Sequence, residues 1–148
     1  MDKFEQLFAE YPCVLTDELV KKNTADILAK HTAENNTREV WMQCLHQIDL
    51  TTLNGDDTTE KVATMAEKVN DFDGHFPGVP NVAAMCVYPA LVETAREVLT
   101  EPIGIAAVAA GFPASQTFIE VKVAEAAMAV AAGATEIDIV ISIGKFLE

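Results

Sequence analysis

The sequence predicts an α/β protein in which parallel strands alternate with helices. Four short apolar segments are separated by stretches that have the periodicity of amphipathic helices. The fourth segment, residues 137–143, holds β-branched side chains and a single charge, Asp138, a composition typical of a strand buried on both faces. Because strands separated by helices pair in parallel, the pattern favours one sheet built from repeated strand–helix units.

Residues 1–46 precede the first strand and are predicted to form a helical extension. Its first helix should end at Pro12, since proline cannot continue a helix. Thr16 or Asp17 is expected to cap a second helix, and a third helix is expected to begin near Thr37. The apolar side of the first helix is formed by Phe4, Leu7, Phe8 and Tyr11. We expect the extension to pack either over the mouth of a barrel or against another subunit.

The first strand–helix unit follows this extension. The strand is expected within residues 46–53, and the Asn-Gly pair after it signals a loop. Asp57 or Thr58 should cap the next helix, with Glu60 completing a capping box after Asp57. The buried side of this helix is predicted to comprise Val62, Met65, Ala66 and Val69.

Two more units follow in the same order. The second strand should lie in residues 82–88, and Pro89 should begin the next helix, where its missing N–H costs nothing. The third strand is expected at residues 103–110, and the helix over residues 117–132 should end at Gly133. The inner sides of these two helices are predicted to comprise Leu91, Ala95, Val98 and Leu99 in the first, and Val121, Ala124, Met128 and Ala131 in the second.

Composition and charge argue against several classes of partner and location. The 148 residues include 10 basic and 23 acidic side chains, and the net charge of −13 argues against nucleic acid or an anionic membrane as partner. No apolar stretch reaches the roughly 18 residues of a membrane span, and the first residues lack a secretory segment. Cys13, Cys44 and Cys86 form an odd set, for which reduced thiols in a cytoplasmic protein are expected.

The polar residues at strand ends are the candidates for chemistry, and Asp138 is the sharpest of them. Burial would favour its protonated form and a nearby ammonium its ionised form, so Asp138 could exchange protons with a substrate. The alternative is a structural carboxylate satisfied by a lysine or a backbone N–H. Asp49 in the first strand has the same two interpretations, since an aspartate near a turn often caps the backbone. Cys86 is more typical of a small buried side chain than of a nucleophile.

Cofactor signals are weak throughout the sequence. His31 and His75 have no partners at metal-ligand spacing, so we expect no metal. Neither a G-x-G-x-x-G motif nor a P-loop occurs, which weakens the case for nucleotide binding.

Four motifs in order resemble the deoxyribose-phosphate aldolase family. They are IDLTTLN at residues 48–54, MCVYP at 85–89, GFP at 111–113 and GATEIDIV at 133–140. The resemblance covers roughly residues 47–148 and leaves the helical extension outside the family's common core. Ser115 stands where family members often have glycine, so no loop role is transferred to it.

The resemblance implies the first half of a (β/α)8 TIM barrel at residues 47–148, preceded by the helical extension at residues 1–46. Family members cleave 2-deoxy-D-ribose 5-phosphate into glyceraldehyde 3-phosphate and acetaldehyde through a lysine Schiff base, without a metal or cofactor. By this resemblance Asp138 is the proton-relay aspartate. The substrate-pocket residues that it implies are Asp49, Thr51, Cys86 and, in the apolar wall, Leu53.

The family's Schiff-base lysine, its second lysine and its phosphate-binding loops belong to later strands. Lys145 follows the fourth strand and matches neither lysine, while Lys61, Lys68 and Lys122 are expected to point outward from helices. Since a parallel barrel usually needs about 250 residues, we expect an incomplete barrel with no aldolase turnover of its own.

Two other interpretations remain open. The first is a half-barrel module without catalysis, which forms homo-oligomers through its open edges and apolar inner face. A flavodoxin-like ligand-binding domain is also possible, although the phosphate loop expected after its first strand is missing.

Overall fold

The computed structural model describes residues 2–12 and 14–148, so the prediction for Cys13 lies outside the described residues. The chain divides into two compact units, one ending at Trp41 and one from Met42 to Glu148. We call the first the N-terminal unit and the second the sheet unit.

The N-terminal unit is helical, as predicted. Helix α1 (Lys3–Glu10) begins with a capping box formed by Asp2 and the glutamate at the third helical position. Helix α2 (Asp17–Asn35) is capped by Thr16, whose hydroxyl accepts a backbone N–H, so Thr16 rather than Asp17 is the cap. Helix α3 (Arg38–Leu45) begins in this unit and ends in the sheet unit.

The sheet unit contains four parallel strands in the order β1-β2-β3-β4, which confirms the predicted architecture. Each strand is hydrogen-bonded to the next in sequence, as repeated strand–helix units require. The outer edges of the first and last strands are unpaired among the described residues. The strands are β1 (Asp49–Thr51), β2 (Ala84–Val87), β3 (Gly104–Ala109) and β4 (Glu136–Ile139).

The helices of the sheet unit are α4 (Thr59–Asn70), α5 (Phe72–His75), α6 (Val92–Val98), α7 (Ile119–Ala132) and α8 (Ile143–Leu147), with a 3₁₀ turn at Pro89–Leu91 before α6. Of these, α4, α6 and α7 pack on one face of the sheet and form the main core with it. Val62 and Ala66 of α4, Met85 of β2 and Val92 of α6 are each 0% exposed in this core. Burial of these side chains is the main force that holds the sheet unit together.

The helix ends follow local chemistry, with one correction. Thr58 caps α4 by accepting the N–H of Lys61, whereas Asp57, the other predicted cap, turns back to the loop that precedes it. The capping box predicted from Asp57 is therefore wrong. Gly133 ends α7 at a φ of +115°, as predicted, and a Cβ there would lie 2.2 Å from Arg96 Cδ.

The predicted inner side of α7 is also wrong. Its four members, Val121, Ala124, Met128 and Ala131, are exposed, and Ala129 is the buried residue of this helix. Helix α7 carries apolar side chains on nearly every side. Periodicity therefore could not tell which side faces the sheet.

The fourth strand is shorter and more exposed than the sequence predicted. It ends at Ile139, whereas the prediction ran from residue 137 to 143 and buried both faces. Ile139, Ile141 and Ile143 are 60–68% exposed. The cause is position, because β4 pairs with β3 alone and no further strand–helix unit covers it among the described residues.

Candidate active site

The sheet has two chemically different faces because side chains alternate along each strand. One face packs on the helices. The other, which we call the open face, has small buried residues at its centre, Cys86, Ala106 and Val108, which are 0–3% exposed. Acidic and hydroxyl residues of the two outer strands flank this centre, namely Asp49 and Thr51 on β1 and Glu136 and Asp138 on β4.

Asp138 and Cys86 meet across the open face. The Cys86 Sγ lies 3.7 Å from the Asp138 Oδ2, so the thiol donates across the width of β3 to a carboxylate on β4. Burial raises the pKa of the Cys86 thiol, and the charge of Asp138 raises it further. Asp49 acts in the same direction, and a hydrogen bond with Thr51 opposes it. The fold thus brings three of the sequence-predicted site residues, Asp49, Thr51 and Asp138, around the thiol of a fourth, Cys86, and burial together with the two carboxylates favours its protonated form.

Asp138 itself is exposed, which corrects the prediction that it is buried. The physical reason is the same as for the rest of β4, since this strand pairs with β3 alone within the sheet unit. An exposed carboxylate exchanges protons readily with water or with a bound molecule. Its sequence neighbours Ile137 and Ile139 point to the opposite side of the strand, so branched neighbours alone did not imply burial.

Leu53, the fifth predicted residue, lies in the loop after β1 and is half-buried against the open face. The hydroxyl of Tyr88 donates to the Leu53 carbonyl over 3.2 Å. Thr52 is 7% exposed, and its hydroxyl donates to Asp57 over 2.9 Å. The Asp57 side chain is 1% exposed, and its pKa is lowered to about 2, chiefly by the ammonium of Lys61. An ionised carboxylate therefore fixes this loop.

Sequence reasoning missed the roles of Tyr88, Thr52 and Asp57. The motif residues 48–54 and 85–89 already contain the first two, and their polarity within apolar runs was the available signal. Lys61 was expected to point outward. It is half exposed, and its ammonium binds Asp57.

Lys122 was also expected to point outward, and this expectation is wrong. Its Nζ donates to Ser115 Oγ over 2.6 Å and to Ser142 Oγ over 2.8 Å. Ser115 is fully buried at a φ of +56° and donates to the carbonyl of Val140, while the Ser142 hydroxyl donates to the carbonyl of Ser115. A lysine has a long apolar stem that can lie along a surface while its charged end reaches inward polar groups. Helical position therefore did not fix where the ammonium goes.

No helix within residues 2–12 and 14–148 combines the length and the apolar content that crossing a membrane requires. Within the same ranges, no group of three or more His, Cys, Asp or Glu side chains is arranged to hold a metal ion. Cys44 and Cys86 carry free thiols, the first exposed and the second buried.

Comparison with known proteins identifies relatives of this chain. The model of the DeoC/LacD family aldolases matches residues 44–145. The deoxyribose-phosphate aldolase of Homo sapiens is 37% identical over an alignment of 136 residues, and this alignment covers 83% of this chain and 42% of the human protein. That of Bos taurus is 35% identical with the same coverage. The chain thus spans less than half the length of these relatives.

Solved structures agree with the fold. The aldolase QR15 gives a TM-score of 0.60 at 26% identity, over 70% of this chain and 42% of that one. The deoxyribose phosphate aldolase from Aeropyrum pernix gives 0.57 at 24% identity, over 70% and 41%, and this likeness concerns the fold alone. The resemblance predicted from four motifs and the partial aldolase barrel are both confirmed.

Proposed function

The chain belongs to the DeoC/LacD aldolase family, and from this premise we propose that it is the first half of the catalytic domain of a deoxyribose-phosphate aldolase. In this proposal residues 47–148 supply the first four strand–helix units, and residues 1–46 are an extension outside the barrel. The complete enzyme cleaves 2-deoxy-D-ribose 5-phosphate to glyceraldehyde 3-phosphate and acetaldehyde. The observation that supports this best is the open face, where Asp49, Thr51, Cys86 and Asp138 converge.

The proposed role of Asp138 is to relay protons during carbon–carbon cleavage. In a class I aldolase, a lysine forms an iminium with the substrate, and the carbon–carbon bond then breaks to an enamine without a free carbanion. Cleavage also requires that the hydroxyl group on the carbon that becomes the new aldehyde lose its proton, as its oxygen forms the carbonyl and the electrons of the carbon–carbon bond pass to the iminium. An exposed carboxylate on the open face suits this transfer, because it reaches substrate and solvent alike.

The remaining site residues are proposed to bind the sugar. Asp49 and Thr51 offer oxygen acceptors for substrate hydroxyl groups, since the Thr51 hydroxyl donates its own proton to the Asp49 carbonyl over 2.8 Å. Leu53 supplies an apolar wall. Cys86 contributes as a small neutral group and not as a nucleophile, because burial and the adjacent carboxylates disfavour its thiolate. No cofactor is needed, since the covalent chemistry belongs to the lysine.

A polypeptide of these 148 residues is proposed to be inactive alone. Three of its ammonium groups are engaged elsewhere, those of Lys61 with Asp57, Lys145 with Glu148 and Lys122 with two serines. The Schiff-base lysine of the family belongs to strands that follow β4. The open face therefore holds a proton relay without the nucleophile that it serves.

Borohydride trapping tests this proposal. The 148-residue chain and a chimera, in which this chain replaces the matched segment of the human relative, are each treated with 2-deoxyribose 5-phosphate and borohydride. We expect a reduced adduct and retro-aldol turnover in the chimera, with the labelled lysine in its human portion, and neither in the chain alone. A labelled lysine within the 148 residues would overturn the proposed inactivity. A folded chimera without an adduct, checked by circular dichroism, would count against the aldolase function.

The alternative function is self-association without catalysis, and the exposed edge favours it. Ile139, Ile141, Ile143 and Phe146 are 60–68% exposed beside the unpaired edge of β4. Sedimentation velocity over a concentration series would detect an assembly, and Ile141→Lys should dissociate it. Ile27→Lys, at an equally exposed isoleucine of α2, is the matched control. A compact monomer at every concentration would exclude this alternative.

A further inference from the structure

We propose that Lys122 is a positioning residue for Asp138. The ammonium of Lys122 links the loop after β3 to the segment that follows β4. This inference rests on the proposed role of Asp138 and names the device that holds it in place. Lys122 touches neither Asp138 nor Cys86 in the hydrogen bonds described above. It acts through two serines and the backbone between them.

The end of β4 needs such a device because its ladder stops early. The pairing of β3 with β4 ends at Ala109 and Ile139, one residue after Asp138. Beyond that point, Ser115 Oγ donates to the carbonyl of Val140 over 2.8 Å. These contacts replace the missing ladder bonds, since β4 is an edge strand among the described residues.

Lys122 is the centre of this group. The hydroxyl of Ser115 donates to the carbonyl of Val140, and that of Ser142 donates to the carbonyl of Ser115. Both hydroxyl oxygens can therefore still accept a hydrogen bond. One ammonium donates to both oxygens, over 2.6 and 2.8 Å. Charge-assisted hydrogen bonds of this length are stronger than neutral ones. The ammonium thus links helix α7, the loop after β3 and the segment after β4.

The link restrains Asp138 because Val140, whose carbonyl it holds, lies only two residues farther along the chain. With Val140 held, the carboxylate of Asp138 stays across the open face from Cys86, at 3.7 Å from its sulfur. If the ammonium of Lys122 is removed, the end of β4 is held mainly by its pairing with β3. Asp138 then moves away from the thiol, and Cys86 reports that movement because Asp138 is one of the groups that raise its pKa.

Titration of Cys86 tests the inference in the 148-residue chain, with Cys13 and Cys44 changed to serine so that one thiol remains. Asp49, Thr51 and Asp138 are the groups that face this thiol. Titration of the Cys86 thiol is followed by the absorbance of its thiolate. Asp138→Asn should lower the midpoint of this titration by about half a pH unit to one unit, as expected for removing a charge near a solvent boundary. Lys122→Met should lower the midpoint by a comparable amount.

The sign of the shift separates positioning from direct electrostatics. Loss of a nearby positive charge would by itself raise the midpoint, so a decrease requires that Asp138 has moved. The double variant Lys122→Met/Asp138→Asn should titrate like Asp138→Asn alone, because both changes act through one carboxylate. Lys122→Arg should keep the original midpoint. Lys145→Met, which removes an exposed ammonium paired with Glu148, is the matched control and should do the same.

Three results would overturn the inference. They are an unchanged midpoint in Lys122→Met, a raised midpoint, and an additive shift in the double variant. Hydrogen exchange guards against global unfolding, since the amides of β2 and β3 should keep their protection in Lys122→Met. If Lys122→Met does not fold, Ser142→Ala removes one arm of the link and should give a smaller decrease. Because titration needs no turnover, its failure is distinct from failure of the aldolase proposal.

Discussion

The substitution Met85→Ala tests which face of the sheet holds the core. Met85 is 0% exposed on the helix-packed face of β2, next in sequence to Cys86 on the open face. The change removes three side-chain groups, at roughly 0.8 kcal/mol each, and leaves a cavity. We therefore expect the free energy of unfolding to fall by about 2–5 kcal/mol. This is a large part of the stability of a small domain, so urea unfolding followed by circular dichroism should shift clearly.

Met128→Ala is the matched control for this experiment. Met128 is 72% exposed on α7, so the same chemical change should alter the free energy of unfolding by less than about 0.5 kcal/mol. A loss below about 1 kcal/mol for Met85→Ala would refute the assignment of the two faces. A loss above about 2 kcal/mol for Met128→Ala would show that α7 is covered in solution, which would favour self-association.

Two other predictions concern local devices. Gly133→Ala should lower the free energy of unfolding by at least about 1 kcal/mol, because φ is +115° and the new Cβ would meet Arg96 Cδ. Urea unfolding measures this loss, and an unchanged unfolding midpoint would contradict the prediction. Asp57 has a pKa lowered from 3.8 to about 2 in the folded chain, so its contribution to stability is complete above 3.8 and is lost as pH falls through about 2. Asp57→Asn should remove that part of the acid dependence, and identical pH profiles for the two proteins would refute it.

Parallel strands, helices and most helix ends could be predicted from sequence because each depends on local chemistry. Apolar segments specified the strands, Thr16 and Thr58 were among the predicted caps, and Gly133 ends α7 where a left-handed residue is needed. The grouping of Asp49, Thr51, Cys86 and Asp138 was implied by the resemblance to the aldolase family, and the register of the four strands places these residues on one face.

The errors share a different cause, since each depends on what covers a surface. Burial of Asp138 was inferred from isoleucines that occupy the other side of its strand. The wrong side of α7 was chosen because alanine and valine surround the helix, and only tertiary contacts show that Ala129 packs inward. The ammonium of Lys122 depends on two serines that are 7 and 20 residues away in sequence. No local pattern reports such a meeting.

The turnover numbers of two variants of the chimera test most directly whether Asp138 relays protons on the open face. Asp138→Asn removes the proposed proton relay, and Glu136→Gln removes the other carboxylate of β4 from the same face, one pleat nearer the amino end. We predict that Asp138→Asn lowers kcat for 2-deoxyribose 5-phosphate about 10²–10⁴-fold and that Glu136→Gln lowers it less than about tenfold. An Asp138→Asn chimera with unchanged kcat would contradict the assignment of the open face as the catalytic face.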